Sequence, residues 1–246
     1  MIQLRIPGCA SPADLHFGYL NLRDHPRGTL MLSALLDAGF RPALVLEEDS
    51  DLATAGRQSQ LRQLRRIGGY TAPPPTAALC VRHDIPYETV GNHNDPVVAD
   101  RLRQSSVDIA VLGDVRILKP HIIASVPHGI INVHPGYLPD VRGNNPYIWS
   151  IVYGLPLGVS AHLIDAGVDR GPLFAAWQLT VAPGITLPQL ILELHEKCAE
   201  MIVDVLHRVV RGEAAACPQP DDTRLTFRKA PPEVWALAEK LLRDKA

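Results

Sequence analysis

The sequence has little with which to hold a metal cluster, a disulfide framework or a polyanion. Its 246 residues include four cysteines, Cys9, Cys80, Cys198 and Cys217. They are scattered, with no Cys-x-x-Cys pair and no zinc spacing. They read as reduced, mostly buried thiols of a cytosolic protein. A basic excess is also missing: Lys+Arg is 24 against Asp+Glu 26, a formal net charge of −2. Proteins that wrap nucleic acid draw affinity from phosphate neutralisation and carry a basic stripe. The local run Arg57, Arg62, Arg65 and Arg66 is explained as well by a solvated helix face, so no nucleic-acid partner is expected. No segment approaches the roughly 20 apolar residues that a membrane helix needs. The opening Met1 to Arg5 gives way to Pro7 and Gly8 without the apolar stretch of a signal peptide. The expectation is a cytoplasmic protein with no membrane contact. There is no internal repeat, and no Gly-x-Gly-x-x-Gly loop follows a strand, which disfavours a nicotinamide-binding protein.

Apolar residues are plentiful. At 46% hydrophobic, the chain can bury one sizeable core, or one core with a small appendage. Ile2–Ile6 reads as a short strand and 7–26, rich in Gly, Pro and Asp, as irregular. Thr29–Ala38 reads as a helix stopped by Gly39, and Pro42–Glu47 as a buried strand. Helices follow at 58–67, 76–83, 96–104 and 118–125, with strands at 85–90, 107–113 and 129–133. This alternation predicts an α/β, Rossmann-like fold: a mostly parallel central sheet flanked by helices. Further on, Pro146–Tyr153 is a helix, Val159–Ile164 and Leu173–Val181 form an antiparallel pair, and Leu187–Val210 is a long helix. A short C-terminal helical extension begins at Pro232. The expected division is a core over 1–185, with helices and a tail over 186–246 packing on it.

In such sheets chemistry gathers at the carboxyl ends of strands. Leu112-Gly113-Asp114 and Asn132-Val133-His134 fall there. Asn132 and His134 are two apart, so an extended strand puts both on one face. An amide and an imidazolium make a donor pair for an oxyanion. A carboxylate such as Asp169, brought near by the fold, would keep the imidazole protonated and relay a proton. Taken singly, each residue has a plainer reading. Asn132 and Asp169 suit turns, and His134 could be a satisfied histidine. His162 reads equally as a hydrogen-bonding residue behind the site or as a half-buried strand residue. No metal is expected: His134 and His162 lack a third ligand, and Asp165 and Asp169 lack calcium-loop spacing.

Three motifs in order change the weighing: Asn132-Val133-His134-Pro135 with Leu138-Pro139, then His162, then Asp169-Arg170-Gly171-Pro172. Together they resemble the catalytic domain of the folate-dependent formyltransferase family, which glycinamide ribonucleotide, methionyl-tRNA and sugar N-formyltransferases share. The resemblance implies catalytic roles for Asn132, His134 and Asp169, with His162 supporting them. It implies that the backbone at Arg116, Ile117 and Leu118 and the loop Asp165, Ala166, Gly167 and Val168 clasp the pterin of 10-formyltetrahydrofolate. The implied reaction gives a formyl group to a small-molecule amine. With water in its place formate would be released, and a dead site would only bind folate. The Gly-Ser-rich phosphate loop expected in the glycinamide ribonucleotide enzymes is missing from Ile6 to Pro12. Arg211–Ala246 is short for a tRNA-binding domain of about a hundred residues. Arg142-Gly143-Asn144-Asn145-Pro146, followed by a helix containing Trp149, resembles the sugar N-formyltransferases. An amino sugar on a nucleotide carrier is therefore the acceptor the resemblance favours, and the helix from Pro232 is a candidate dimer element.

Overall fold

Six consecutive residues, Phe17–Leu22, are all buried and form an inner strand of the main sheet. This corrects the irregular reading of 7–26. A run buried on both faces carries no alternation, which is what a parallel strand covered by helices on two sides requires. The computed structural model describes residues 1–220 and 225–244. In chain order the elements are β1 (Ile2–Leu4), a 3-10 turn (Pro12–Asp14), β2 (Phe17–Leu22), α1 (Pro26–Asp37), β3 (Leu44–Glu48), α2 (Asp51–Leu64), α3 (Thr76–Arg82), β4 (Tyr87–Val90), α4 (Pro96–Gln104), β5 (Ile109–Leu112), α5 (Pro120–Ile123), β6 (Ile130–His134), β7 (Arg142–Gly143), α6 (Pro146–Tyr153), β8 (Gly158–Leu163), β9 (Leu173–Gln178), α7 (Leu187–Val210), β10 (Ala214–Ala216), β11 (Thr226–Phe227) and α8 (Pro232–Arg243).

The main sheet has the order β4-β3-β2-β5-β6-β8-β9. β4 through β6 are parallel, and β8 and β9 are antiparallel additions. The chain steps outward from β2 to β4, then returns to β5 on the other side of β2. That reversal is a topological switch point, where strand ends splay and leave a crevice.

Period-two alternation sends side chains to two cores. Phe17, Tyr19, Ile109, Val111, Ile131 and Val133 pack with α1 and α7. Leu20, Leu44, Leu46, Ala110, Leu112 and Ile130 pack with Val98, Leu102 and Ile122 from α4 and α5. α7 begins at a capping box, in which Thr186 N–H donates to Gln189 Oε1 at 2.9 Å. It buries Leu190, Ile191, Leu194, Cys198, Ile202, Val205 and Val209 along one side, each worth ~1.5–3 kcal/mol where a large apolar chain leaves water.

α2 starts at Asp51 rather than at residue 58, because Ser50 Oγ accepts from Ala53 N–H at 3.3 Å and caps it. α5 is confined to one turn. β1 pairs with β10, apart from the main sheet. α8 lies on α6, with Trp235 edge-on to Tyr147 at 6.0 Å. Among the described residues no helix is long and apolar enough to cross a membrane.

Candidate active site

β6 ends the parallel part of the sheet, and its partner β8 runs antiparallel with Asn132 opposite His162 and His134 opposite Ser160. The β8–β9 ladder slips register between Ala161 and His162, an irregularity of the kind that re-aims a side chain. His162 Nδ1 donates to the Leu163 carbonyl at 2.8 Å, and Nε2 lies 3.1 Å from Asn132 Nδ2. With Nδ1 donating to that carbonyl, an Nε2 without a hydrogen can accept one Asn132 N–H. The second Asn132 N–H stays available.

His134 is buried, and its Nε2 donates to the Val141 carbonyl at 3.0 Å. Nδ1 is therefore the nitrogen free to gain or lose a proton. It faces Asp169 Oδ2 at 3.6 Å, too long for a hydrogen bond. Asp169 Oδ1 lies 3.5 Å from His162 Nε2, and Asp169 Oδ2 accepts from Gly143 N–H at 2.7 Å. Burial alone would raise the Asp169 carboxyl. The neighbouring His134 and His162 and the hydrogen bond from the Gly143 N–H outweigh it and hold the group well below the usual carboxylate range. For His134 the balance goes the other way: burial lowers the imidazole pKa more than Asp169 raises it.

Two glycines make this packing possible. A Cβ on Gly136 would lie 2.6 Å from His134 Nε2, so only glycine lets the Pro135–Leu138 turn pass over the ring. Ser160 ties that turn down: its Oγ accepts from Leu138 N–H and donates to the Gly136 carbonyl, both at 2.9 Å. Gly143 has φ +95, and a Cβ there would meet the Phe227 carbonyl oxygen at 2.1 Å, because β7 pairs in parallel with β11.

A cleft of about 500 Å³ opens above these residues. Its lining includes all eleven residues singled out from the sequence: Asn132, His134, His162 and Asp169, the segment Arg116–Leu118 and the loop Asp165–Val168. The Arg116 guanidinium is spent on Glu48, with Nε at 2.7 Å from Oε2 and a second contact from Nη2 to Oε1. Ile117 is 70% exposed while Leu118 is buried. Among the described residues, the backbone N–H groups of Arg116, Ile117, Leu118, Ala166 and Val168 make no intramolecular hydrogen bond.

Sequence reasoning missed the floor of the cleft, which is formed by His25, Arg27, Asp114 and His195. Arg27 is buried. It donates to the Val133 carbonyl at 3.0 Å and to Asp114 Oδ2 at 2.7 Å, so it braces the strand between Asn132 and His134. His25 Nδ1 lies 3.6 Å from the same carboxylate oxygen. Burial lowers the pKa of both His25 and His195. The one available signal was Asp114, just beyond a strand end. His25 and Arg27 follow β2, which the sequence did not reveal, so the loop in the position after the first sheet strand is Arg23 to His25 and not Ile6 to Pro12. No group of three or more His, Cys, Asp or Glu among the described residues is arranged to hold a metal.

A mostly parallel sheet with Asn132, His134 and Asp169 gathered in one cleft beside it places the chain in the α/β class. The chain belongs to the formyl transferase family: the family model described as "Formyl transferase" matches residues 59–206. A methionyl-tRNA formyltransferase of Synechococcus sp. (strain JA-3-3Ab) is 32% identical over 187 residues, covering 75% of this chain and 58% of that protein. The chain thus spans less than two thirds of that relative's length. Among solved structures, the N-formyltransferase from Helicobacter canadensis, in complex with folinic acid and dTDP-3-aminofucose, aligns at TM-score 0.63 and 14% identity, over 87% of this chain and 71% of that one. Glycinamide ribonucleotide transformylase 1 from Symbiobacterium toebii aligns at TM-score 0.62 and 18% identity, over 84% and 95%. At such identities the two structures speak for the fold.

Proposed function

We propose that this protein transfers the formyl group of 10-formyltetrahydrofolate to a primary amine of a small molecule. The observation that carries the reading is the convergence of Asn132, His134 and Asp169 on one wall of the cleft. The attacking amine adds to the formyl carbon and the carbonyl oxygen becomes an oxyanion. The free Asn132 N–H donates to it. Neutral His134 takes the amine proton at Nδ1, and the imidazolium that forms sits beside the ionised Asp169. The bond from the formyl carbon to N10 then breaks, and Nδ1 returns its proton to N10 as tetrahydrofolate leaves.

The donor fits the other end of the cleft. Unspent backbone N–H groups at Arg116, Ile117, Leu118, Ala166 and Val168 line the cleft together with apolar Ile123 and Ile164. A pterin offers a polar edge on a flat apolar ring, which suits such a slot. The related Helicobacter canadensis structure is described with a folate and an amino-sugar nucleotide bound. We take an amine on a nucleotide-linked sugar as the acceptor class. The named relative from Synechococcus supports a second reading, with the amine of methionyl-tRNA as acceptor.

The test is transfer from 10-formyltetrahydrofolate to a panel of amino-sugar nucleotides, amino acids, glycinamide ribonucleotide and methionyl-tRNA, with tetrahydrofolate release and product mass followed together. A product heavier by one formyl group supports the proposal and names the acceptor. Folate turnover with free formate and no modified amine would replace it with a hydrolase. Donor binding without turnover on any acceptor would leave a folate-binding module in its place.

A further inference from the structure

We infer that Gln219, in the segment returning from β10 toward α8, is a positioning residue that locks the Asp169 turn. The inference rests on the formyl-transfer reading of the same site. Asp169 sits at φ +54, a left-handed conformation that side chains other than glycine adopt at a cost. Such a turn is held by its surroundings and not by itself. The Gln219 carboxamide supplies the hold. Its Nε2 donates to the Asp169 carbonyl at 2.9 Å and to the Gly171 carbonyl at 2.8 Å, so the two hydrogens of one amide close the turn from both sides.

The other end of that amide completes a ring of contacts. Gln219 Oε1 accepts from Arg142 Nη2 at 3.1 Å. Arg142 is followed by Gly143, whose N–H donates to the Asp169 carboxylate. Backbone and side chain of Asp169 are thus fixed through one connected set. β11 then adds to β7, and Asn144 N–H donates to the Phe227 carbonyl at 2.9 Å. Gln219 and β11 both lie beyond residues 59–206, the extent of the family match. Gln219 and β11 thus reach the candidate site from outside that match.

Gln219→Glu is the sharp variant, because an ionised carboxylate of the same shape would face two carbonyl oxygens with no hydrogen to offer. Gln219→Ala removes the amide altogether. Both variants, in the full chain, are expected to lose about 10- to 100-fold in kcat, the scale of a slightly misplaced catalytic group. Acceptor KM and folinic acid affinity should stay within about threefold. A second readout does not need turnover: NMR titration of the His134 ring. The groups facing that ring are Asp169, His162 and Arg27. If Asp169 is loosened, the midpoint of His134 moves down in Gln219→Ala, which adds no charge of its own. Unchanged kcat together with an unchanged His134 midpoint would overturn the inference. So would losses of kcat, folinic acid affinity and Tm in parallel, the pattern of a merely structural residue. If the parent protein transfers no formyl group to any acceptor, the functional reading falls, and the His134 titration still decides the role of Gln219.

Discussion

The amide nitrogen of Asn132 and Nε2 of His162 meet at 3.1 Å across the β6–β8 ladder, and the opposite nitrogen of His162 is tied to the Leu163 carbonyl. The second bond fixes the tautomer, and the tautomer fixes which way the Asn132 amide faces. Replacing His162 by Phe removes the acceptor and frees the amide to rotate. We expect kcat to fall about tenfold, the scale of a misoriented oxyanion donor, with donor KM unchanged. His162→Gln, which restores an acceptor oxygen, should recover part of the loss. Steady-state kinetics on both variants decide it, and equal losses would show that the ring only fills space.

In the proposed reaction His134 works through Nδ1, since Nε2 is committed to the Val141 carbonyl. His134→Ala should lower turnover by at least ~100-fold while folate affinity stays nearly intact, because its contribution grows in the transition state. Gly136→Ala provides an independent approach: the new Cβ would press on the His134 ring and should lower kcat in the same direction with the imidazole still present. Full activity in His134→Ala would sink the catalytic assignment.

Four of the five buried histidines shape the response of stability to acid. Burial lowers the pKa of His25, His93, His134 and His195 in the folded state. The unfolded chain takes up protons at these rings near pH 6.5, before the folded chain does. Stability therefore rises with pH wherever the unfolded state binds more protons, and it falls as pH drops through about 6.5 toward the folded values. Glu47 and Glu196, whose carboxyls burial pushes up, work in the opposite sense, two groups against four. Asp169 and Glu48, held low in the fold, contribute stability that is lost only as pH falls below the usual carboxylate range. Thermal unfolding should show Tm decreasing between about pH 7 and pH 5, and His195→Asn should flatten that slope. A Tm that does not change over this window would contradict the assignment of neutral buried rings.

The two ends of the site were unequally legible in the sequence. Asn132 and His134 declare themselves because a strand has period two and they sit at its end. Asp169 is readable through the Gly171-Pro172 that follows it. β2 was hidden because Pro12 and Pro26 bracket it and Gly18 interrupts its apolar run, so local punctuation outweighed six buried positions. Missing β2 also hid His25 and Arg27, which follow it at the switch point. Gly143, Gln219 and Phe227 were unreadable for a different reason. Their partners are far along the chain, as with Gln219 and Asp169, and no local pattern encodes a contact that exists only once β11 has been laid against β7.

Three cations line the cleft, and two of them are occupied. Arg27 is held by Asp114 and the Val133 carbonyl, and Arg116 by Glu48. The third, Lys229, has no ion pair among the described residues. Its backbone is fixed on both sides, by Trp149 Nε1 donating to the Arg228 carbonyl at 2.8 Å and by Ala230 N–H donating to Asn145 Oδ1 at 3.0 Å. Lys229 is exposed and lines the cleft together with Gly143 and Asn144. An acceptor whose amine reaches His134 and whose carrier is a phosphate would bring its negative charge past Lys229. Lys229→Ala should raise the KM for an amino-sugar nucleotide by about 5- to 10-fold, the scale of one partly exposed charge contact, and leave kcat nearly unchanged. The salt dependence of kcat/KM should weaken with it, because one screened attraction has been removed. An uncharged amine tested in parallel should show no change in KM. If both acceptors respond alike, Lys229 shapes the cleft without reading charge, and the preference for a phosphate-bearing acceptor loses its support.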